Sequence, residues 1–137
     1  MPSWVLKDCL ARSSRPGYRG EKGQPVPESE VDAWMKEVKE LGIASIICLL
    51  AEDQLNLYDE LPGGLVSYYR SFGFAVEHVP ALDHQHPPLS DYDLERIWSA
   101  YQSLEKPVLI HCSAGVDRTG MAVQHIQNRL QFGVGPN

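Results

Sequence analysis

The stretch Val108-Leu109-Ile110-His111-Cys112-Ser113-Ala114-Gly115-Val116-Asp117-Arg118-Thr119-Gly120 decides the reading of this sequence. Three apolar residues make a short strand, and a turn containing glycine leads into the start of a helix. A turn of this kind at a helix N-terminus presents backbone N–H groups to an anion. Phosphate suits it, because its oxygens each accept from several donors. Gly115 can take a backbone conformation that a residue with a side chain resists. Gly120 fits close packing of the helix on the strand.

Cys112 opens the turn. The N–H groups and the helix dipole favour its thiolate, which is the nucleophilic form. Arg118 follows six residues on, where the loop closes. Its planar guanidinium can hold two phosphate oxygens in a bidentate fork. With the loop amides it can stabilise charge through a phosphoryl transfer without reorganising. Thr119 is placed to hydrogen-bond the cysteine sulfur and help it leave when water attacks an intermediate. His111 reads as an orienting neighbour and not as a base. Ser113, Ala114, Gly115, Val116 and Asp117 form the phosphate-binding loop.

Upstream, helices alternate with strands. The spacing of Val31, Trp34, Met35, Val38 and Leu41 predicts a helix over 30–41, stopped by Gly42. Residues 43–50 are continuous and β-branched, as in a strand buried on both faces. Residues 52–61 read as a short helix or loop. A second helix is predicted over 65–72, closed by Gly73, and a strand over 74–79. Ser90 caps a helix over 90–104, with Asp91 and Asp93 in its first turn. That helix turns Leu94, Ile97, Trp98, Tyr101 and Leu104 inward. A last helix is predicted over 119–130. Trp4 to Ala11 holds one or two short strands, and residues 13–27, rich in Gly, Pro, Ser and Arg, read as a loop. The pattern predicts an α/β fold with a small, mostly parallel sheet of four to five strands flanked by helices.

The chain has 137 residues, 43% apolar and 22% charged, which fits a single domain over 1–137 with its own core. Its net charge of −6 argues against general binding to nucleic acid or to anionic membranes. The three cysteines, Cys9, Cys48 and Cys112, form neither a disulfide framework nor a zinc pattern, and an odd, low count suits a reducing compartment. Lys7, Asp8 and Arg12 interrupt any signal-peptide stretch at the N-terminus. The longest apolar run, Ile43 to Ala51, is broken by Ser45 and too short to span a bilayer. A cytoplasmic location is expected, with no cofactor and no metal.

His-Cys-x5-Arg-Thr at 111–119 resembles the signature of the protein tyrosine phosphatase superfamily, and the short chain resembles an atypical dual-specificity phosphatase. The likeness extends more loosely from Trp4 to Leu130. It implies a cysteine-phosphatase fold, here with a short C-terminal end, and hydrolysis of phosphomonoesters through a phosphocysteine on Cys112. It also implies a general acid: an Asp on the loop after the 74–79 strand, which here is Asp83. Asp117 is its rival. Most dual-specificity members resemble Gly at this loop position. An Asp before the Arg resembles myotubularin lipid phosphatases and some bacterial phosphatases that accept phosphoinositides.

His84 and His86 follow Asp83 on the same loop and either tune it, contact a leaving group or stand in solvent. Arg12, Arg15, Arg19 and Lys22 form a basic run that attracts phosphorylated substrate or is simply a solvated loop. Cys48 or Cys9 could protect Cys112 through a reversible disulfide, as in some relatives, given a Cα separation under about 7 Å. The chain closes on Phe132-Gly-Val-Gly-Pro-Asn137, a stop where relatives continue with further helices. Three functions compete: a protein phosphatase of dual-specificity type, a phosphoinositide or other non-protein phosphatase, and a catalytically silent phosphate-binding module. In each the partner is a phosphorylated protein or another phosphomonoester.

Overall fold

The computed structural model describes residues 2–18 and 23–132. Strand β5 (Val108–His111) is the middle of a five-stranded sheet ordered β1-β2-β5-β3-β4. Strands β2 (Leu10–Ser13) and β3 (Ser45–Cys48) flank it in parallel, and β4 (Ala75–His78) runs parallel to β3. Strand β1 (Ser3–Leu6) is the antiparallel edge. The register sets Ser13 beside His111 on one flank and Cys48 beside it on the other. Three strands therefore end together under Cys112, at the carboxyl edge where α/β sheets bind ligands.

Side chains alternate across the sheet, which is why its apolar runs are continuous. Val108 and Ile110 join Leu10, Ile47 and Leu49 in one core cluster, and Leu109 joins Ala11, Ile46 and Cys48 in the other. The first cluster is covered by α4 (Asp91–Ser103), through Ile97, Trp98 and Tyr101, and by α5 (Asp117–Phe132), through Ala122, Val123 and Ile126. The second is covered by α1 (Glu28–Glu40), through Val31, Trp34, Met35 and Val38, and by α3 (Gly64–Ser71), through Leu65 and Tyr69. A fully buried side chain of this size contributes roughly 1.5–3 kcal/mol.

The expected elements are present, with shifted ends. Helix α1 begins at Glu28, because Pro27 is extended and its carbonyl accepts from Glu30 N and Val31 N. The strand expected over 43–50 pairs only over Ser45–Cys48. Residues 52–61 hold one turn of helix, α2 (Glu52–Leu55). Ser90 caps α4 in a reciprocal capping box with Asp93. Helix α5 begins at Asp117, two residues earlier than its apolar spacing implied, so Arg118 lies in its first turn. The glycine-rich end from 133 onward lies outside the described residues. Among those described, no helix is long and apolar enough to cross a membrane.

Candidate active site

The chain leaves β5 at Cys112 and re-enters regular structure at Asp117. Gly120 N donates to Val116 O at 2.7 Å, closing the first turn of α5 over the intervening loop. The loop bends at Gly115, whose φ is +79°. A Cβ there would stand 2.6 Å from Ser13 O and 2.7 Å from Ser14 N, backbone atoms that cannot move aside. Position 115 thus demands glycine for conformation and for space. At Gly120 a Cβ would meet Arg12 Nη2 at 3.5 Å, an ordinary contact. The close packing expected at Gly120 makes no comparable demand.

The loop and its neighbours enclose a cup of about 100 Å³. Cys112, Ser113, Ala114, Val116, Asp117 and Arg118 line it from the loop, and Asp83, His84 and Tyr18 close its rim. Every residue expected to touch phosphate is there except Gly115, which turns its back on the cup against β2. Cys112 and Arg118 are each 2% exposed.

Arg118 is held from behind. Its Nη1 donates to Ala81 O at 2.7 Å, Gln54 Oε1 at 3.0 Å and Leu49 O at 3.3 Å. A buried guanidinium is tolerable only with such partners. Its Nη2 is buried, makes no hydrogen bond among the described residues, and lies 3.4 Å from Asp83 Oδ1. A donor left in this state fits an anion in the cup. Asp83 is held in turn by Gln54 Nε2 at 3.2 Å, by His84 N at 3.0 Å and by the His84 ring at 3.6 Å. Gln54 therefore bridges the arginine and the carboxylate. Nothing in the ambiguous stretch 52–61 marked it beforehand.

His111 is fully buried behind Cys112. Its Nδ1 lies 3.0 Å from Cys112 O, and its Nε2 2.9 Å from Tyr69 Oη. A carbonyl can only accept, so Nδ1 carries the proton and Nε2 accepts from the tyrosine. Burial holds the imidazole neutral, with its pKa lowered from 6.5 to about 4, and Arg118, Arg15 and His78 push the same way against the raising effect of the Cys112 bond. Thr119 departs from expectation. Its hydroxyl oxygen is buried in the first turn of α5 and makes no hydrogen bond among the described residues, to the Cys112 sulfur included.

The sequence model of the tyrosine phosphatase family matches residues 63–133, which include both Asp83 and the Cys112 loop. The chain belongs to the tyrosine phosphatase family. This phosphatase is thus a hydrolase of the protein tyrosine phosphatase superfamily. Its fold is similar to kinase associated phosphatase (20% identity, 99% of this chain and 77% of that one, TM-score 0.70). It is also similar to the core catalytic domain of the PP-IP phosphatase Siw14 from S. cerevisiae (19% identity, 96% and 67%, TM-score 0.59). Tk-PTP is a third such structure (19% identity, 96% and 73%, TM-score 0.61). No curated protein matches the sequence.

Two expectations about the rest of the phosphatase change. In the basic run, Arg15 is 3% exposed and Arg12 is half-buried, so neither is a solvated charge at the pocket mouth. Both contact the backs of loop residues. Arg19 and Lys22 lie outside the described residues. The disulfide to Cys112 is also displaced by the fold. Cys48 packs in the α1–α3 cluster and Cys112 in the α4–α5 cluster, on opposite faces of the sheet. Cys9 accepts a hydrogen bond from Val108 N, at the far end of β5. Four strand residues at about 3.3 Å each separate it from Cys112, well beyond disulfide reach. All three cysteines are free. Among the described residues, no group of His, Cys, Asp and Glu comes together to hold a metal ion.

Proposed function

We propose that this phosphatase hydrolyses phosphomonoesters in proteins, phosphotyrosine first and phosphoserine or phosphothreonine with it, through a phosphocysteine on Cys112. One observation carries the reading: a nucleophile, a buried guanidinium and a carboxylate on a separate loop bound the same small cup. The thiolate of Cys112 attacks phosphorus as the P–O bond to the leaving group breaks, and Asp83 gives its proton to that oxygen. Asp83, now a carboxylate, takes a proton from water. The water oxygen attacks phosphorus, the S–P bond breaks, and inorganic phosphate and the thiolate result. Arg118 and the loop amides hold the three equatorial oxygens throughout. The free cysteines fit a cytoplasmic setting.

Substrate class follows from the rim. Val116 is 60% exposed beside the cup, so access is shallow. Asp83 and Asp117 both face it, which favours a substrate with one phosphate over a polyphosphorylated one. The acidic chain likewise offers no broad surface for nucleic acid. A phosphoinositide is the second reading, because Asp117 lines the cup itself.

The test is turnover of p-nitrophenyl phosphate from pH 4 to 8, with reductant and EDTA, followed by phosphopeptides set against phosphoinositides. Activity that vanishes in Cys112→Ser and prefers phosphopeptides supports the proposal. Preference for phosphoinositides moves it to the second reading. A folded wild type that binds phosphate without turnover is a phosphate-binding module and overturns it.

A further inference from the structure

We infer that Arg12 and Arg15, at the end of β2, are positioning residues that set the phosphate loop in its anion-binding form, an inference that rests on the cup being the phosphate site. The loop binds an anion only if its N–H groups point inward, and its carbonyls must then point outward. An outward carbonyl at the crowded carboxyl edge of the sheet needs a donor. The sequence supplies donors from about a hundred residues away. Arg12 Nη2 donates to Gly115 O at 2.9 Å and reaches Val116 O at 3.5 Å. Arg15 N donates to Ser113 O at 2.8 Å, and its Nε donates to Ser113 Oγ at 3.1 Å.

Between these two arginines the backbone of Ser13 and Ser14 is the surface on which Gly115 lies. That surface is fixed in its turn. Trp34 Nε1 donates to Ser13 Oγ at 3.0 Å and to Ser14 O at 3.2 Å. Arg15 Nη1 donates to Tyr58 Oη at 3.2 Å, and that hydroxyl donates to Pro16 O at 2.7 Å. Segment 12–15 therefore works as a template: two guanidiniums take the outer polar groups at 113, 115 and 116, and a backbone shelf accepts the glycine. Neither arginine lines the Cys112 cup; Arg12 reaches it through the loop, and Arg15 through the loop and from the adjoining cavity that Asp83, His84 and Ser113 share with it. Two fixed positive charges behind it add to the same polarity.

The experiment compares wild type, Arg12→Gln, Arg12→Lys and Arg15→Lys, each checked for folding by thermal denaturation. Two readouts need no turnover: calorimetric affinity for inorganic phosphate, and the ratio of Cys112 alkylation rates by iodoacetate and by neutral iodoacetamide. That ratio measures guidance of an anion to the sulfur and is insensitive to overall stability. In Arg12→Gln, phosphate affinity and the ratio should each fall about tenfold, with kcat/KM falling in step, and Arg12→Lys should recover part of each. Arg15→Lys keeps the charge but loses the planar fork, and should weaken phosphate binding in the same direction. A folded Arg12→Gln with phosphate affinity and alkylation ratio within about twofold of wild type overturns the inference. If wild type binds phosphate and shows the anion preference but does not turn over, the phosphatase proposal fails while the positioning role stands.

Discussion

Arg118 Nη2 stands 3.4 Å from Asp83 Oδ1, so the candidate phosphate-binding group and the candidate acid are partners of each other. On the proposed mechanism, a phosphate in the cup competes with Asp83 for that same nitrogen. Asp83→Asn should therefore separate two effects. With phenyl phosphate, whose leaving group needs a proton, kcat should fall about 100-fold. With p-nitrophenyl phosphate the loss should be much smaller. Affinity for inorganic phosphate should rise, because a competing negative charge has gone. Unchanged kcat on phenyl phosphate would move the acid role to Asp117.

His111 makes stability depend on pH. Its folded pKa, lowered from 6.5 to about 4 chiefly by burial, lies below the unfolded one. The unfolded chain then binds more protons between those values. The contribution is present above the unfolded pKa and is lost as pH falls toward the folded one. Urea unfolding at pH 7 and pH 5 should show about 2 kcal/mol lost to this group. In His111→Gln that part of the difference should disappear. An equal difference in the variant would show that His111 is not its source.

Gly115→Ala should damage the loop more than its size implies. The methyl group meets backbone of Ser13 and Ser14 at 2.6–2.7 Å, at a φ of +79°. The expected cost is about 2 kcal/mol or more in denaturant unfolding, with loss of phosphate binding. Gly120→Ala, with nothing nearer than 3.5 Å, should unfold within about 1 kcal/mol of wild type. Equal tolerance of both substitutions would contradict the packing of the loop on β2.

The cysteines should label in a fixed order. Cys9 is exposed and Cys48 is buried. Burial pushes the Cys48 thiol up to about 12, so it stays protonated and unreactive at neutral pH. Native alkylation followed by mass spectrometry should mark Cys9 and leave Cys48 unmodified until denaturant is added. Mild oxidation should yield no Cys48–Cys112 disulfide, and finding one would require the sheet to open.

The α/β class, the parallel sheet and the Cys112–Arg118 motif were legible because each rests on neighbours in sequence. Helix spacing shows in Val31 to Val38, burial on both faces in Ile46 and Ile47, a cap in Ser90, and an anion loop in the run from Cys112 to Arg118. Local geometry fixes such features. What surrounds the loop was not legible. Arg12 and Arg15 read only as part of a basic run, drawing substrate or solvated, and Gln54 and Tyr69 carried no signal, because the side-chain hydrogen-bond partners of all four are 29 or more residues away. Only the sheet order, which inserts β5 between β2 and β3, brings Ser13 and Cys48 to the same level as His111. That same alternation sends Cys48 and Cys112 to opposite faces. The sequence by itself determined the chemistry on offer, a thiol and a guanidinium on one anion-binding turn. The tertiary structure alone decided what holds that turn open and brought Asp83 from another loop to its rim, because those contacts depend on strand order and register, which no local pattern encodes.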